Sequence, residues 1–301
     1  MRRQQGVALL TVLLVVAVVT VVCAGLIART QLSIRSSGNE LHLRQGDPRT
    51  PVDHPGEAWA QPLSTFQLDD GGSLSVRIED PSGRFNLNSL VRDGQLNEQG
   101  IRQFRRLLLR LGIEAPYTER LVDWLDQDQE PYGPNGAEDN QYLLLRPPYR
   151  AANQAMSDVS ELRLVLGMTE MDYRKLLPFV CVLPADATLN VNTANALVLS
   201  TLADNLDLDS GALLVAARGT TGFRAPRDFL GQPALAGMGL EENGLAVGSQ
   251  YFQVISEVRL AGRRQVLVST LQRGSDGKVR VLSRDLGQGG LPPAPVKEPQ
   301  S

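Results

Sequence analysis

The chain has few of the residues that active sites and metal centres use most often. Among its 301 residues are two cysteines, Cys23 and Cys181, and two histidines, His42 and His54. Cys23 lies inside a long apolar run and Cys181 lies far from it in the polar part, which argues against a disulfide bond between them. A Ser-His-Asp triad or a histidine-based zinc site would have to use His42 or His54, and both lie in a polar stretch that contains proline.

Common catalytic motifs are also missing. The sequence contains no G-x-S-x-G, no P-loop and no H-E-x-x-H, so it offers no nucleophile elbow, phosphate cradle or zinc-protease helix. The formal net charge of −3 is spread along the chain and creates no strong field for a nucleic acid or an anionic membrane surface. We therefore expect a protein that is not an enzyme.

The sequence does contain one long apolar run near its start. The 22 residues from Val7 to Ala28 carry no charge. As a helix that rises about 1.5 Å per residue they would extend about 33 Å, which is enough to cross a bilayer core. Arg2 and Arg3 precede the run and stay cytoplasmic by the positive-inside tendency, so the rest of the chain is expected on the outer side. A secretory signal peptide normally has a shorter apolar region, and a lipoprotein signal would have to use Cys23.

The first residues resemble a prepilin leader. Met1 to Gly6 form a short, doubly basic, glycine-ended prefix, and Val7-Ala8-Leu9-Leu10-Thr11 follow it. The resemblance implies that a prepilin peptidase cuts after Gly6 and methylates Val7. Pilins usually carry glutamate at the fifth mature residue, paired with the terminal amine of a neighbouring subunit, whereas this chain has Thr11. A subunit with no earlier neighbour needs no such carboxylate, so Thr11 suggests a position at a filament tip.

Further along, the hydrophobic period changes twice. Ser73 to Glu79 alternates polar and apolar residues and predicts a strand. From Asn97 to about Gly244 apolar residues recur at helical spacing, which predicts helices that begin near Asn97, at Thr118–Asp126, Val159–Leu166, Glu170–Leu177, Thr193–Leu202 and Ser210–Arg218, and near Pro226. After Gly248 the period of two returns and predicts three strands, Tyr251–Leu260, Arg264–Leu271 and Lys278–Ser283.

This order of elements predicts an α+β fold. A lone strand is unstable, so Leu74, Val76 and Ile78 are expected to pack with the three later strands. The helical block would then be a large all-α domain inserted between the first strand and the C-terminal strands. A long N-terminal helix on an antiparallel sheet is the type IV pilin-like fold. The expected division is a leader at 1–6, an N-terminal transmembrane helix at 7–35, a pilin-like α+β domain at 36–90 and 246–286, an inserted helical domain at 91–245, and a disordered tail at 287–301.

Five sequence pieces, in this order, resemble the K-type minor pseudopilins of the type II secretion system. The first four are Ile78-Glu79-Asp80-Pro81-Ser82-Gly83-Arg84-Phe85-Asn86-Leu87-Asn88, Asp123-Trp124-Leu125-Asp126-Gln127-Asp128, Gly136-Ala137-Glu138-Asp139 and Ser160-Glu161-Leu162-Arg163, and Asn190-Val191-Asn192-Thr193-Ala194 adds to them. The resemblance implies a single-pass inner-membrane subunit with its soluble domain in the periplasm. Such a subunit sits at the tip of the pseudopilus, initiates or caps assembly and supports export across the outer membrane. The implied partners are the I and J minor pseudopilins, the major pseudopilin below the tip, the prepilin peptidase, and secreted cargo or the outer-membrane pore.

A dense acidic cluster lies in the middle of the chain. Its members are Asp123, Asp126, Asp128 and Glu130, with Glu138 and Asp139 after a loop rich in Pro, Gly and Asn. Carboxylates this close repel one another, and calcium accepts six to eight oxygen ligands in flexible geometry. Pro131 and Ala137 stand where an EF-hand needs Gly and Glu, so the segment is not an EF-hand. A solvated acidic loop is the alternative, as is an acid/base pair for glycoside hydrolysis. K-type pseudopilins are implied to bind calcium in such a loop, and Asp126, Asp128, Glu138 and Asp139 are the ligands expected here.

A membrane-anchored helix-hairpin-helix DNA-binding receptor is the rival interpretation. Asn190-Val191-Asn192-Thr193-Ala194 opens a helix in such modules, where a glycine-rich hairpin then offers backbone N–H groups to phosphate. Here the next connection, 203–209, has three Asp residues and no glycine, so Asn192 is interpreted as a helix N-cap and no nucleic acid is expected. A basic patch formed by Arg218, Arg224 and Arg227 would favour the rival. The arginines at 102, 105, 106 and 110 are expected on the solvated face of an amphipathic helix.

Overall fold

The computed structural model describes residues 52–61, 65–68, 72–260, 262–274 and 278–286. The expected leader, N-terminal helix and tail lie outside these residues, and so do Gly6, Val7 and Thr11. Within the described ranges no helix is both long enough and apolar enough to cross a membrane.

The elements follow the predicted order. The strands are β1 (Phe66–Gln67), β2 (Ser73–Glu79), β3 (Phe85–Asn86), β4 (Val91–Arg92), β5 (Gln95–Leu96), β6 (Val180–Cys181), β7 (Leu189–Asn190), β8 (Leu245–Ala246), β9 (Tyr251–Leu260), β10 (Arg263–Arg273) and β11 (Val279–Asp285). The α-helices are α1 (Glu98–Arg110), α2 (Tyr117–Leu125), α3 (Asp139–Tyr142), α4 (Glu170–Leu176), α5 (Ala196–Ser200), α6 (Leu208–Ala217) and α7 (Pro226–Leu230).

The main sheet is antiparallel and has the strand order β1-β2-β9-β10-β11. The sequence left open whether the first long strand pairs directly with the first strand of the later three. It does, with Leu74 opposite Val258 and Ile78 opposite Val254. Leu74, Val254 and Val258 share one apolar cluster, which confirms the predicted packing of β2 on the later strands. The mixture of helices with an antiparallel sheet also confirms the α+β class.

The helices pack around two apolar cores. In the first, α1 buries the face that carries Ile101, Phe104 and Leu107, as its 3.6-residue period predicts. Trp124 of α2 lies in the same core and is 2% exposed, so it packs the interior as expected. The second core is built by α5, α6 and α7 with the segments around them.

Three details of the helical block differ from the predictions. It is not all-α, because the two-residue ladders β3–β6, β4–β5 and β7–β8 pair chain segments whose buried backbone groups need partners. The helix expected at Val159–Leu166 is a 3₁₀ helix at Val159–Leu164. The helix expected from Thr193 begins at Ala196 with Asn195 as its N-cap, so the interpretation of Asn192 as the cap is wrong.

A buried polar network joins the sheet to the helical block. The Asp80 carboxylate, just after β2, accepts hydrogen bonds from Ser249 Oγ at 2.5 Å, Thr193 Oγ1 at 2.5 Å and Asn190 Nδ2 at 3.0 Å. Burial raises the pKa of Asp80, and these hydrogen bonds oppose that rise. Asp80 directly follows β2 and Ser249 precedes β9, so the chain leaves the sheet and returns to it at the same place.

Candidate metal centre

The Asp123 carboxylate holds the acidic loop through hydrogen bonds to its backbone. It lies in the last turn of α2, is 0% exposed, and its Oδ1 accepts a hydrogen bond from Tyr132 N at 2.7 Å. Its Oδ2 accepts a second from Ala137 N. A Cβ at Gly136 would meet Asp123 Oδ2 at 2.3 Å, so the loop can close on this carboxylate only with glycine there. Burial raises the pKa of Asp123, and the two backbone donors oppose this.

The carboxylates of three of the four expected ligands lie close together. Asp126 caps the C-terminus of α2, Asp128 follows two residues later, and Glu138 precedes α3. One carboxylate oxygen from each residue lies within 4.8 Å of the others. Asp126 and Glu138 are 8% and 1% exposed, whereas Asp128 is exposed. The cluster therefore consists of two buried carboxylates and one exposed carboxylate.

The carboxylates of this cluster lack compensating charge. Asp126 Oδ1 and both Oε atoms of Glu138 are buried and accept no hydrogen bond. Burial, followed by repulsion from neighbouring carboxylates, raises the pKa of Asp126 to about 7 and that of Glu138 to about 8. Buried charges in native proteins are usually paired or bound to a metal. A divalent cation would supply the missing partner for all three oxygens.

The structure does not bring the fourth expected ligand to this cluster. Asp139 Oδ1 accepts a hydrogen bond from Ala151 N at 3.0 Å, and its Oδ2 pairs with Arg150 Nη1 at 3.0 Å. Asp139 is the first residue of α3, and these two bonds fix the start of the segment that follows residue 149. Glu138 and Asp139 are adjacent in sequence but have different roles, because Glu138 is the N-cap of α3 and Asp139 is its first residue.

Asn153 is a neighbour of the cluster that sequence reasoning missed. Its Nδ2 donates to the backbone oxygen of Asp128 at 2.6 Å, and its Oδ1 is buried with no hydrogen-bond partner. The backbone of Asn153 has a φ of 47°, in the left-handed region where asparagine is the commonest residue after glycine. An isolated asparagine 25 positions after Asp128 gave no local signal of this contact.

The donor set suits a hard, oxygen-binding cation. Carboxylate and amide oxygens are the ligands of calcium and magnesium, and calcium tolerates irregular geometry better. Two cavities of the described residues, of about 50 and 320 Å³, are lined by none of these carboxylates, so they give the glycoside-hydrolysis alternative no support. The arrangement can stiffen the loop between α2 and α3.

The geometry also gives no support to the DNA-receptor alternative. Arg218 is 9% exposed and donates to the backbone oxygens of Asn192 and Ala194, so it cannot join a surface patch. The Asn192 side chain binds the backbone of Phe223 and Val247 instead of capping a phosphate-binding helix.

Comparison with known proteins identifies relatives over nearly the whole chain. Family models described as "Type II secretion system (T2SS), protein K" match residues 83–185 and 189–248. Type II secretion system protein K of Pseudomonas aeruginosa is 56% identical over 97% of this chain and 95% of its own length. The protein of the same name from Aeromonas hydrophila is 33% identical over 94% of this chain and 97% of its own.

A solved structure agrees with the sequence relatives. It is the crystal structure of the GspK-GspI-GspJ complex from the type 2 secretion system of enterotoxigenic Escherichia coli, where one chain aligns with a TM-score of 0.70 and 27% identity. The alignment covers 89% of this chain and 99% of that one. From these matches, the chain belongs to the type II secretion system protein K family.

Proposed function

We propose that the chain is a non-enzymatic minor pseudopilin at the tip of the type II secretion pseudopilus. The observation that carries the proposal is the backbone similarity, at a TM-score of 0.70, to a chain of the GspK-GspI-GspJ complex. On this proposal the chain binds the I and J minor pseudopilins, initiates or caps the fibre above the major pseudopilin, and supports export across the outer membrane. The bulk of the helical block, carried on the sheet, would hinder addition of further subunits on one side.

The proposed maturation places the chain in the inner membrane before assembly. A prepilin peptidase would cut after Gly6 and methylate Val7, and the mature N-terminal helix at 7–35 would span the membrane once with residues 52–286 in the periplasm. That helix would bundle with those of the I and J subunits, and Thr11 would stand where other subunits carry glutamate. A pilin-like sheet with an inserted helical block fits this arrangement, since every described α-helix lies between β2 and β9 in sequence.

Processing of the leader is the first test. In cells that express a prepilin peptidase, N-terminal mass spectrometry of the membrane-purified protein should show a chain that starts at N-methylated Val7. Gly6→Ala should leave the full-length precursor, because the peptidase would lose its small residue at the cleavage site. Gly25→Ala, a matched change within the apolar run, should be processed normally. An intact Met1 in the parent protein would contradict the pseudopilin assignment.

Assembly tests the tip assignment separately. Co-expressed with the I and J subunits of the same system, the processed chain should co-purify as a ternary complex, as the proteins in the solved complex do. If the chain is processed correctly but forms no such complex, it is still a pseudopilin, and its assignment to the tip is contradicted.

We also propose that Asp126, Asp128 and Glu138 hold a structural calcium ion, with the Asn153 amide oxygen beside them. The unpartnered buried oxygens of Asp126 and Glu138 support this proposal. Bound there, the ion would neutralise the carboxylates and tie the loop to the end of α2. The extracellular side of a membrane, where calcium is plentiful, suits such a site.

Thermal unfolding with and without calcium tests the metal proposal. Asp128→Ala combined with Glu138→Ala should abolish the rise in melting temperature that calcium gives the parent protein. Asp139→Ala should keep that rise, because its carboxylate binds Arg150 and Ala151 instead. If the parent protein melts at the same temperature in calcium and in chelator, the cluster is a solvated acidic loop.

A further inference from the structure

The loop between α2 and α3 contains one of the two Asn-Gly pairs in the sequence. This pair is Asn135-Gly136, and the other is Asn243-Gly244. An asparagine before glycine is open to attack by the glycine nitrogen, because glycine has no Cβ to block the approach and its φ and ψ are free. The attack expels the side-chain amide as ammonia. Among the asparagines of this chain, Asn135 and Asn243 are therefore the most disposed to deamidate.

The two reacting groups of Asn135-Gly136 are available in the structure. Asn135 is exposed. Its side-chain amide makes no hydrogen bond to the described residues, since only its backbone N and O have partners there. The backbone nitrogen of Gly136 also donates no hydrogen bond within the described ranges. Neither group has to leave a partner in this part of the chain before they react.

The backbone on both sides of this pair is held by hydrogen bonds to carboxylates. Asn135 N donates to Glu119 Oε2 at 2.8 Å. On the other side, Ala137 N donates to the buried Asp123 carboxylate. The backbone must rotate about the Asn135 Cα–C bond to bring Gly136 N to the side-chain carbon. The two hydrogen bonds resist that rotation, so they limit how often the pair can react.

We propose that Asn135 is a site of spontaneous deamidation whose rate is limited by these backbone hydrogen bonds. Gly136 N loses its proton to water and bonds to the side-chain carbonyl carbon of Asn135. The bond from that carbon to the amide nitrogen breaks, ammonia leaves, and a cyclic succinimide remains. Water then adds to one of the two ring carbonyls and opens the ring to aspartate or isoaspartate. The net change replaces an amide by a carboxylate, and it requires neither a bound cation nor a partner subunit.

Either product loosens the loop between α2 and α3. Aspartate at position 135 adds a negative charge next to Glu119, and the two carboxylates repel. Isoaspartate carries the backbone through the former side chain and lengthens it by one methylene directly before Gly136. That glycine has no spare room, since a Cβ on it would meet Asp123 Oδ2 at 2.3 Å. A displaced backbone breaks the hydrogen bond that the next residue donates to Asp123.

Peptide mapping by mass spectrometry measures the reaction directly. The full-length protein is incubated in detergent with a chelator at mildly alkaline pH, and conversion during digestion is subtracted with a sample that was not incubated. We expect deamidation at Asn135 in the parent protein. It should be at least about threefold faster in Glu119→Ala, which loses a hydrogen bond to a charged group. Glu114→Ala, an exposed change shortly before α2, should react at the parental rate, and Asn243 should react equally in all three proteins.

The melting temperature of the incubated protein tests the loosening of the loop. It should fall in the parent more than in Asn135→Ser, which cannot form the succinimide at this position, whereas reaction at Asn243 affects both proteins alike. Equal falls would overturn the loosening. Equal rates at Asn135 in the parent and Glu119→Ala would overturn the control by hydrogen bonds. No conversion at Asn135 in the parent would exclude the site, so that measurement decides the question even if Glu119→Ala does not fold.

Discussion

Glu257 on β9 is a buried carboxylate with two charged partners. It is 6% exposed and accepts hydrogen bonds from Arg264 Nη2 at 2.9 Å and Arg259 Nε at 2.6 Å. The bond from Arg264, helped by that from Arg259, outweighs burial and lowers the pKa of Glu257 to about 2. A carboxyl group whose pKa is depressed in the native state adds stability above its unfolded pKa and loses it as the pH falls toward the native value.

Glu257→Gln should therefore lower the free energy of unfolding by about 1–3 kcal/mol near neutral pH, where the charged hydrogen bonds are intact. The difference from the parent should shrink as the pH falls from about 4.5 toward 2, and urea unfolding at several pH values measures it. Glu241→Gln is the control and should leave stability nearly unchanged at every pH, because Glu241 is exposed and forms no ion pair among the described residues. A pH-independent difference for Glu257→Gln would exclude a role for its charge.

Single residues were predicted well where the signal is local. Thr169 caps α4 by accepting a hydrogen bond from Asp172 N, a contact over three positions that a Thr-x-x-Asp spacing before an apolar run is enough to indicate. Asn192 was misread, because its side-chain partners lie 31 and 55 positions away and no local pattern reports such contacts. In the metal cluster, the sequence identified the acidic residues but not the direction in which Asp139 points.

At the scale of elements, α1 is held to the segment after α5 by its arginines. Arg106 Nε binds Asp204 at 2.5 Å, and its Nη1 donates to the backbone oxygens of Thr201 and Leu202 at 3.1 and 3.3 Å. These carbonyls lie just beyond the last residue of α5 and would otherwise lack an intrahelical partner. The expectation that the arginines of α1 lie on its solvated face is therefore wrong for Arg106, which is half-buried, whereas Arg110 is exposed and also donates to Leu206 O.

Arg106→Ala should lower the free energy of unfolding by about 1–2 kcal/mol, mainly through loss of the bonds to the two carbonyls, since the Asp204 carboxylate is exposed. Arg105→Ala on the same helix should change stability by less than about 0.5 kcal/mol, because Arg105 is exposed. Chemical denaturation of both variants measures the contrast. Equal effects would mean that the helix end is held by apolar packing alone.

Element positions followed from periodicity when the element was long. The strand β2 spans the predicted Ser73–Glu79, because seven residues are enough to show strict alternation. The two-residue strands β1, β3 and β7 carry no periodic signal, so the sequence did not reveal them. Their existence depends on which distant segment lies beside them.

At the scale of the whole molecule, Asp80 couples the sheet to the helical block. Asp80→Ala would leave the buried donors of Asn190, Thr193 and Ser249 without this acceptor. We expect a loss of about 3 kcal/mol in the free energy of unfolding, measured by urea titration. Asp186→Ala, at an exposed position, should leave stability nearly unchanged. A negligible loss for Asp80→Ala would show that the two parts are joined by apolar contacts only.

The two segments that flank the helical block meet at Asp80, and this contact affects how the molecule folds. Asp80 and Ser249 are 169 positions apart, yet their side chains are hydrogen-bonded. Pairing β2 with β9 across an unfolded chain of that length carries a closure entropy that slows the search for the native register. A helical block that has already folded brings the two ends together and shortens the effective loop. The strands are thus expected to pair late, on a scaffold made by the residues that separate them.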